Sequence, residues 1–193
     1  MSRGDGYRRV SATPLFQMAE RAEALKAYTV KKIVSGGQAG VDRAALDVAL
    51  ALNIPVGGWC PADRKAEDGP IGTKYPLKET NSSDYETRTM FNARDSNGTL
   101  ILTKGAPTGG TALTIKWAKG FDKDYLVIDL DQDYDVATVK EWLFTNYIGV
   151  LNVAGPRASK FPDIYDLAKI FLEGLLEMVC PRCKRAGHSH DYK

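Results

Sequence analysis

Short apolar runs alternate with stretches of helical periodicity over most of the chain, and this alternation predicts a repeated strand and helix unit. The apolar runs predict five buried strands. The first ends at Ile33-Val34, and the other four lie at 54–61, 99–103, 125–130 and 149–153. The helical spacing predicts helices at 41–52, 85–95, 112–118, 136–147 and 164–178. Right-handed crossovers between such strands give an open, mainly parallel sheet. The predicted fold is therefore a three-layer α/β sandwich with helices on both faces.

The first 30 residues are predicted to form an N-terminal tail with one amphipathic helix. Apolar residues recur there at helical spacing after the cap candidate Thr13, with Pro14 at the first helical position: Leu15, Met18, Ala22 and Leu25. The pattern leaves open whether this helix packs on the domain or on a second subunit. We therefore divide the chain into an N-terminal tail (1–30), a ligand-binding domain (31–178) and a basic tail with Cys and His (179–193).

A glycine-rich turn joins the first predicted strand to its helix. It spans Ser35 to Arg43 and contains the pattern G-G-x-x-G. A strand that leads directly into a helix leaves backbone N–H groups unpaired at the positive end of the helix dipole, which suits a phosphate. The pattern is neither the dinucleotide fingerprint nor the P-loop. On its own it favours an anion site and a purely structural turn about equally.

The loops after the first, second, third and fifth strands contain most of the residues suited to ligand binding. Parallel strands all end on the same side, so these loops converge at the edge where open α/β sheets bind ligands. We predict a crevice for an anionic ligand, lined by Ser35, Gly36, Gly37, Gln38, Gly40, Asp42, Arg43, Trp59, Arg64, Glu67, Asp68, Thr108, Gly109, Gly110, Thr111, Asn152, Gly155, Arg157 and Ser159. In the alternative interpretation the glycines serve tight turns and the arginines pair with nearby carboxylates at the surface.

A long polar loop at 62–83 follows the second strand, and loops of this length in compact domains often carry function. Its neighbouring carboxylates Glu67 and Asp68 are the candidate catalytic residues, either as a general base or as partners of ribose-type hydroxyls. Their separation and pKa values cannot be derived from the sequence. Whether the protein is an enzyme therefore stays open, and we favour a binding protein.

The composition and net charge limit the kinds of binding partner that we expect for this protein. The chain has 193 residues, of which 44% are hydrophobic, as expected for one globular domain with a substantial core. The net charge of +2 is too small to indicate a nucleic-acid surface or a polybasic membrane arm, and no apolar run approaches a bilayer span. Residues 1–9 lack the apolar core of a secretory signal. We therefore expect a soluble, cytoplasmic protein without a nucleic-acid or membrane partner.

The basic tail at the C-terminus contains four potential zinc ligands, Cys180, Cys183, His188 and His190. The His-x-His spacing does not match the usual finger pattern, and the segment is short and has no core around it. We therefore expect no structural zinc site in this tail, and these four residues are only the alternative.

Five sequence blocks resemble the putative molybdenum carrier family. Together they cover about residues 31–178, and they read SGGQAGVDRAALD at 35–47, GGWCP at 57–61, AEDGPI at 66–71, TGGTALT at 108–114 and LNVAGPR at 151–157. That family is similar to the Rossmann-like superfamily of the lonely-guy phosphoribohydrolases and DNA-processing protein A, in its circularly permuted branch. The resemblance implies a Rossmann-like fold, a molybdopterin-like or nucleotide-like phosphorylated ligand, and a homo-oligomer, either a dimer or a tetramer.

The sequence departs from the pattern of these relatives in two places that concern the ligand. Ala39 stands where the family usually has threonine, which removes one hydroxyl. The turn at 108–111 resembles the phosphate-binding turn of the phosphoribohydrolases, but their catalytic glutamate has no match among residues 112–116. Their N-glycosidic chemistry is therefore not supported.

Three functional hypotheses follow from the residues and the resemblance. The leading one is a binder or carrier of molybdenum cofactor (molybdopterin) or of a related phosphorylated pterin or nucleotide. The enzyme alternative is a nucleotide-processing hydrolase or transferase that uses Glu67 or Asp68 as a base. The third is a regulatory protein that senses a nucleotide and signals through a partner.

Overall fold

Five parallel strands form the central sheet. The computed structural model describes residues 15–179. Seven strands lie within these residues: β1 (Lys32–Val34), β2 (Val56–Gly57), β3 (Trp59–Cys60), β4 (Lys78–Glu79), β5 (Gly98–Thr103), β6 (Asp124–Asp129) and β7 (Val150–Ala154). The central sheet has the order β2-β1-β7-β5-β6, with every pairing parallel, while β3 and β4 form a separate parallel pair. The predicted α/β fold with a mainly parallel sheet is confirmed.

Helices cover both faces of this sheet. They are α1 (Leu15–Ala27), α2 (Val41–Ala51), α3 (Tyr85–Arg94), α4 (Gly109–Gly120), α5 (Val136–Thr145) and α6 (Ile164–Val179). Helix α6 packs against α2 and α5, and α3 packs against α4. Right-handed crossovers place these two groups on opposite faces.

The main hydrophobic core lies between the sheet and the layer formed by α2, α5 and α6. The predicted apolar face of α6 is buried there, including Ile164, Phe171 and Leu175. It packs with apolar residues of α2 and with sheet residues such as Ile33 and Leu151. This core fixes the positions at which the strands end and the loops at their carboxyl edge begin.

The stretch 54–61, predicted as one strand, is two strands that belong to different sheets. The chain turns at Gly58, where φ is 127° and an added Cβ would lie 2.4 Å from the Ser35 carbonyl oxygen. Only glycine adopts this conformation without strain. Strand β2 therefore pairs with β1, whereas β3 leaves the central sheet and pairs with β4 at the end of the long loop.

The loop between β3 and α3 is packed around the side chain of Arg64. Its guanidinium donates hydrogen bonds to four backbone carbonyls of the same loop, those of Ile71, Gly72, Tyr75 and Leu77. Beneath the loop lies a second apolar cluster, which contains Leu46, Cys60, Ile71, Tyr75 and Leu77. The long loop is therefore a folded wall of the domain.

Asp47 of α2 connects this loop to the helical layer. Its carboxylate accepts hydrogen bonds from Lys74 Nζ at 2.8 Å, the Tyr75 hydroxyl at 2.7 Å and the Tyr165 hydroxyl at 3.0 Å. Burial by itself would raise the pKa of Asp47, but the three hydrogen bonds and the Lys74 charge together lower it below its usual value. The ionised carboxylate therefore stabilises the contact between the loop, α2 and α6.

The predicted N-terminal helix is present as α1, with much of its surface exposed. Phe16 and Met18 are 71% and 56% exposed. Arg21 connects α1 to α5 through Glu141 and Thr145. Residues 1–14 and 180–193 lie outside the described residues, so the four potential zinc ligands of the tail stay an untested alternative. Within residues 15–179 no helix is long and apolar enough to cross a bilayer.

Replacing Gly37 with Val should destabilise the fold by about 2–4 kcal/mol, because the residue has φ of 75° and its Cβ would lie 2.7 Å from Leu77 Cδ1. Gly72→Ala in the long loop is the control, since a Cβ there meets no atom of the described residues within 4 Å. Urea denaturation measures both variants. Equal stability of the two would contradict this account of the turn.

Replacing Asp47 with Asn should cost about 1–2 kcal/mol of stability at pH 7. The folded-state pKa of Asp47 is lowered, so the contribution of the ionised carboxylate is complete above its unfolded-state pKa of about 4 and is lost as the pH falls below that value. The difference between wild type and Asp47→Asn should therefore shrink below about pH 4. Denaturation at pH 7 and pH 3 tests this, with the exposed Asp133→Asn as control.

Candidate functional site

A cavity of about 220 Å³ lies at the carboxyl edge of the sheet. Three segments form most of its wall: the first turn of α3, the stretch 108–114 that begins α4, and the stretch 154–160 after β7. Gln38 and Asp42 complete the lining from the turn after β1. Loops that follow β1, β5 and β7 therefore meet here, as expected for the edge where open parallel sheets bind ligands.

The N-terminus of α4 provides an open turn of small residues. Thr108 occupies the N-cap position but gives the helix no side-chain cap. A Cβ added at Gly109 or Gly110 would meet no atom within 4 Å, so the space beside this turn is open. Backbone N–H groups at a helix N-terminus favour an anion, and no atom of residues 15–179 fills the space beside these two glycines.

The other end of the cavity contains a buried ion pair between α2 and α3. Arg88 Nη1 lies 3.1 Å from Asp42 Oδ2, and the two side chains are 12% and 4% exposed. Burial raises the pKa of Asp42, while the positive charges of Arg88 and Arg157 oppose this shift. The Nε atom of Arg88 is buried and has no hydrogen-bond partner within residues 15–179. The ion pair therefore leaves one buried donor unsatisfied.

The same ion pair fills the turn after β1. An added Cβ at Gly36 would lie 1.9 Å from Arg88 Nη1, and Asp42 Oδ2 accepts the Gln38 N–H at 3.4 Å. A carboxylate and a guanidinium of the protein thus occupy the position where an external anion was expected. Gly37 packs against Leu77 and does not line the cavity.

Two cations lie at the opening of the cavity, Arg157 and Lys160, and we call them the cationic rim. The Arg157 guanidinium lies 4.1 Å from the centre of the Tyr85 ring. No carboxylate within residues 15–179 forms an ion pair with it. Lys160 Nζ donates to the Thr108 hydroxyl across the opening. The rim therefore presents positive charge beside the N-terminus of α4.

The two candidate carboxylates both accept hydrogen bonds from the protein. Asp68 receives the Arg43 guanidinium, with both contacts at 3.3 Å. Glu67 accepts the backbone N–H of Ser159 at 3.0 Å and also its hydroxyl. Neither side chain belongs to the cavity lining. In the structure, the two side chains form contacts that hold the long loop against neighbouring segments.

The predicted crevice residues divide into two groups. The cavity is lined by Gln38, Asp42, Thr108, Gly109, Gly110, Thr111, Gly155, Arg157 and Ser159. Ten predicted residues lie outside this lining, namely Ser35, Gly36, Gly37, Gly40, Arg43, Trp59, Arg64, Glu67, Asp68 and Asn152. Several of these have internal partners: the Ser35 hydroxyl donates to the Val153 carbonyl, Asn152 donates to Thr99, and Trp59 donates to Asp95.

The contribution of α3 to the cavity was not predicted from the sequence. Tyr85, Arg88 and Thr89 line the cavity from one face of this helix, and Lys160 was also missed. Helical spacing of 85, 88 and 89 puts these residues on one face. A helix that leads into a parallel strand also begins near the carboxyl edge of the sheet. These two signals together could have identified the three α3 residues.

Comparison with known protein families identifies the family of this chain. The model of the circularly permutated YpsA SLOG family matches residues 33–176, which is most of the chain and includes every segment of the cavity wall. The chain belongs to this family. The expected relationship to the circularly permuted, Rossmann-like branch is thereby confirmed.

A solved structure supports both the family and the fold. It is the crystal structure of a protein named putative molybdenum carrier protein from Syntrophus aciditrophicus SB. This SLOG chain is 45% identical to it, and the match covers 77% of this chain and 96% of that one with a TM-score of 0.76. A search of the curated proteins found no match.

Removing one partner of the buried ion pair should destabilise the protein strongly. Arg88→Met leaves Asp42 buried without its ion-pair partner and should cost about 3–5 kcal/mol at pH 8. Because burial raises the folded-state pKa of Asp42, protonation at lower pH relieves this cost, so the deficit should be smaller at pH 5.

A double-mutant cycle provides the control for this prediction. Arg88→Met combined with Asp42→Asn should lose less stability than the two single changes added together, because the double variant holds no unpaired charge. Chemical denaturation at both pH values measures all four proteins. Additive losses would show that the two side chains do not interact.

Proposed function

We propose that this SLOG protein is a carrier that binds a phosphorylated pterin or nucleotide-like ligand in the cavity, with the molybdenum cofactor as its cargo. The observation that carries this proposal is the open N-terminal turn of α4 facing the cationic rim. Positive charge and backbone N–H groups meet there around space that the described part of the chain leaves open.

The charge balance favours a phosphate monoester as the recognised group. Among the residues that line the cavity, Arg88, Arg157 and Lys160 contribute three positive charges and Asp42 contributes one negative charge. The excess of two, together with the helix dipole, suits a phosphate that carries about −1.5 to −2 at neutral pH.

The cavity fits one end of such a ligand. Pockets that enclose whole ligands usually measure ~300–1,000 Å³, so a cavity of about 220 Å³ suits the phosphorylated end, with the remaining rings at the opening. Residues 15–179 contain no group of three or more metal-ligating side chains. In this proposal the protein therefore holds the cofactor by its phosphate, and the pterin holds the metal.

Two further observations favour a carrier protein rather than an enzyme. The carboxylate oxygens of Glu67 and Asp68 accept hydrogen bonds from Ser159 and Arg43. Neither contact indicates that the carboxylate acts as a general base. The related structure is also named a putative molybdenum carrier protein. The homo-oligomer, as a dimer or tetramer, and the cytoplasmic location stay predictions alongside this function.

Arg157→Ala should weaken binding of the cargo while the fold survives, because the guanidinium stacks on Tyr85 and has no carboxylate partner among the described residues. Loss of one charge-assisted contact of about 1.5–3 kcal/mol lowers affinity about tenfold to a hundredfold. Calorimetric titration with molybdenum cofactor and with a panel of nucleoside monophosphates measures the change.

The matched control is Arg94→Ala, which removes an exposed guanidinium of α3 that pairs with Asp95 outside the cavity. Its affinity should equal that of the wild type. Product analysis after incubation should return every ligand unchanged. Unaltered affinity in folded Arg157→Ala protein would place the ligand site elsewhere, and conversion of a ligand would make the protein an enzyme.

A further inference from the structure

We propose that Glu67 is a positioning residue for the cationic rim. Its carboxylate holds Ser159, and through the Ser159 turn it keeps Arg157 and Lys160 at the opening of the cavity. This inference rests on the proposed function, because it concerns the same cavity. It assigns to Glu67 a role different from the general base that the sequence suggested.

The contact between Glu67 and Ser159 uses both carboxylate oxygens. Oε1 accepts the backbone N–H of Ser159 at 3.0 Å, and Oε2 accepts its hydroxyl. Ser159 lies in the chain between the two rim cations and itself lines the cavity. A carboxylate that binds the backbone of a short turn at this point restrains the segment that contains both rim cations.

Glu67 is itself fixed by a buried side chain. Gln38 is 2% exposed, and its amide oxygen accepts the Glu67 backbone N–H at 3.2 Å while its amide nitrogen donates to the Lys65 carbonyl at 3.1 Å. The two hydrogen bonds hold the backbone on both sides of Ala66. The backbone of Glu67 is therefore held in place, which lowers the entropic cost of fixing its exposed carboxylate against Ser159.

The inner part of the rim turn has separate restraints. The Ala158 N–H donates to the Ala39 carbonyl at 3.1 Å, and Gly40 pairs with Arg157 in an isolated bridge. Ser159 and Lys160 at the outer part are exposed. Glu67 is the residue that reaches this outer part from the long loop. Its loss should therefore loosen the rim and leave the core intact.

Electrostatics alone predicts the opposite effect of Glu67 on binding. A carboxylate near a cationic cavity repels an anionic ligand, so its removal should strengthen binding if charge were its only contribution. Positioning predicts weaker binding when both hydrogen bonds are lost. It also predicts little loss when glutamine replaces glutamate, since the amide oxygen still accepts a hydrogen bond. The two accounts thus differ in sign for Glu67→Ala.

The experiment compares Glu67→Ala, Glu67→Gln and Glu79→Ala, the last being the same substitution at an exposed residue of β4. Calorimetric titration with molybdenum cofactor and with AMP should show an affinity about threefold to tenfold lower for Glu67→Ala, the effect of weakening one charged contact. Glu67→Gln and Glu79→Ala should bind as the wild type does. Hydrogen exchange of peptides covering 157–161, without ligand, should speed up in Glu67→Ala alone.

The outcomes distinguish failure of the positioning role from failure of the proposed function. If the wild type binds neither probe, the proposed function fails and this inference fails with it. If the wild type binds and Glu67→Ala binds equally well or more tightly, only the positioning role is overturned. Unchanged hydrogen exchange at 157–161 in Glu67→Ala would also overturn it. Equal losses of affinity in Glu67→Ala and Glu67→Gln would also overturn it, because a hydrogen-bond acceptor at residue 67 would then not be what preserves binding.

Discussion

The buried ion pair between Asp42 and Arg88 is the contact on which the carboxyl edge of this protein depends. Neither charge is stable in a low-dielectric environment without the other, so the pair requires α2 and α3 to approach each other at one place. The two helices lie in different layers of the sandwich, and their N-terminal turns border the same cavity. The requirement to pair these charges therefore also sets the geometry of the site.

This pair explains why two similar glycine turns have different roles. Each turn leads from a strand of the sheet towards the N-terminus of a helix. After β1, the protein fills the anion position with its own carboxylate and guanidinium, and Gly36 is required because Arg88 lies against it. After β5, the glycines at 109 and 110 have open space beside them. The first turn is a structural joint, and the second is the part of the edge that stays available to an anion.

The fold could be predicted because its main determinants are local in the sequence. The apolar spacing of α6 and the continuous apolar run of β5 each define their element without reference to distant residues. The break at Gly58 was missed because its cause is the carbonyl of Ser35, which directly follows the neighbouring strand β1. Residue spacing carries no information on such a close approach between distant parts of the chain.

The candidate site was predicted less completely, because residue type indicates what a side chain can bind and not which partner it finds. Arg64 was assigned to an anionic ligand, but a planar guanidinium with five donors suits clustered backbone carbonyls equally well, and its loop presents four of them. Arg157 was assigned to the same ligand and has no carboxylate partner among the described residues. The difference arises from geometry: Arg64 lies inside a folded loop that needs donors, whereas Arg157 lies on an aromatic ring at an opening. Arginines in one sequence can therefore be separated into structural and binding roles only after the acceptors around each have been counted.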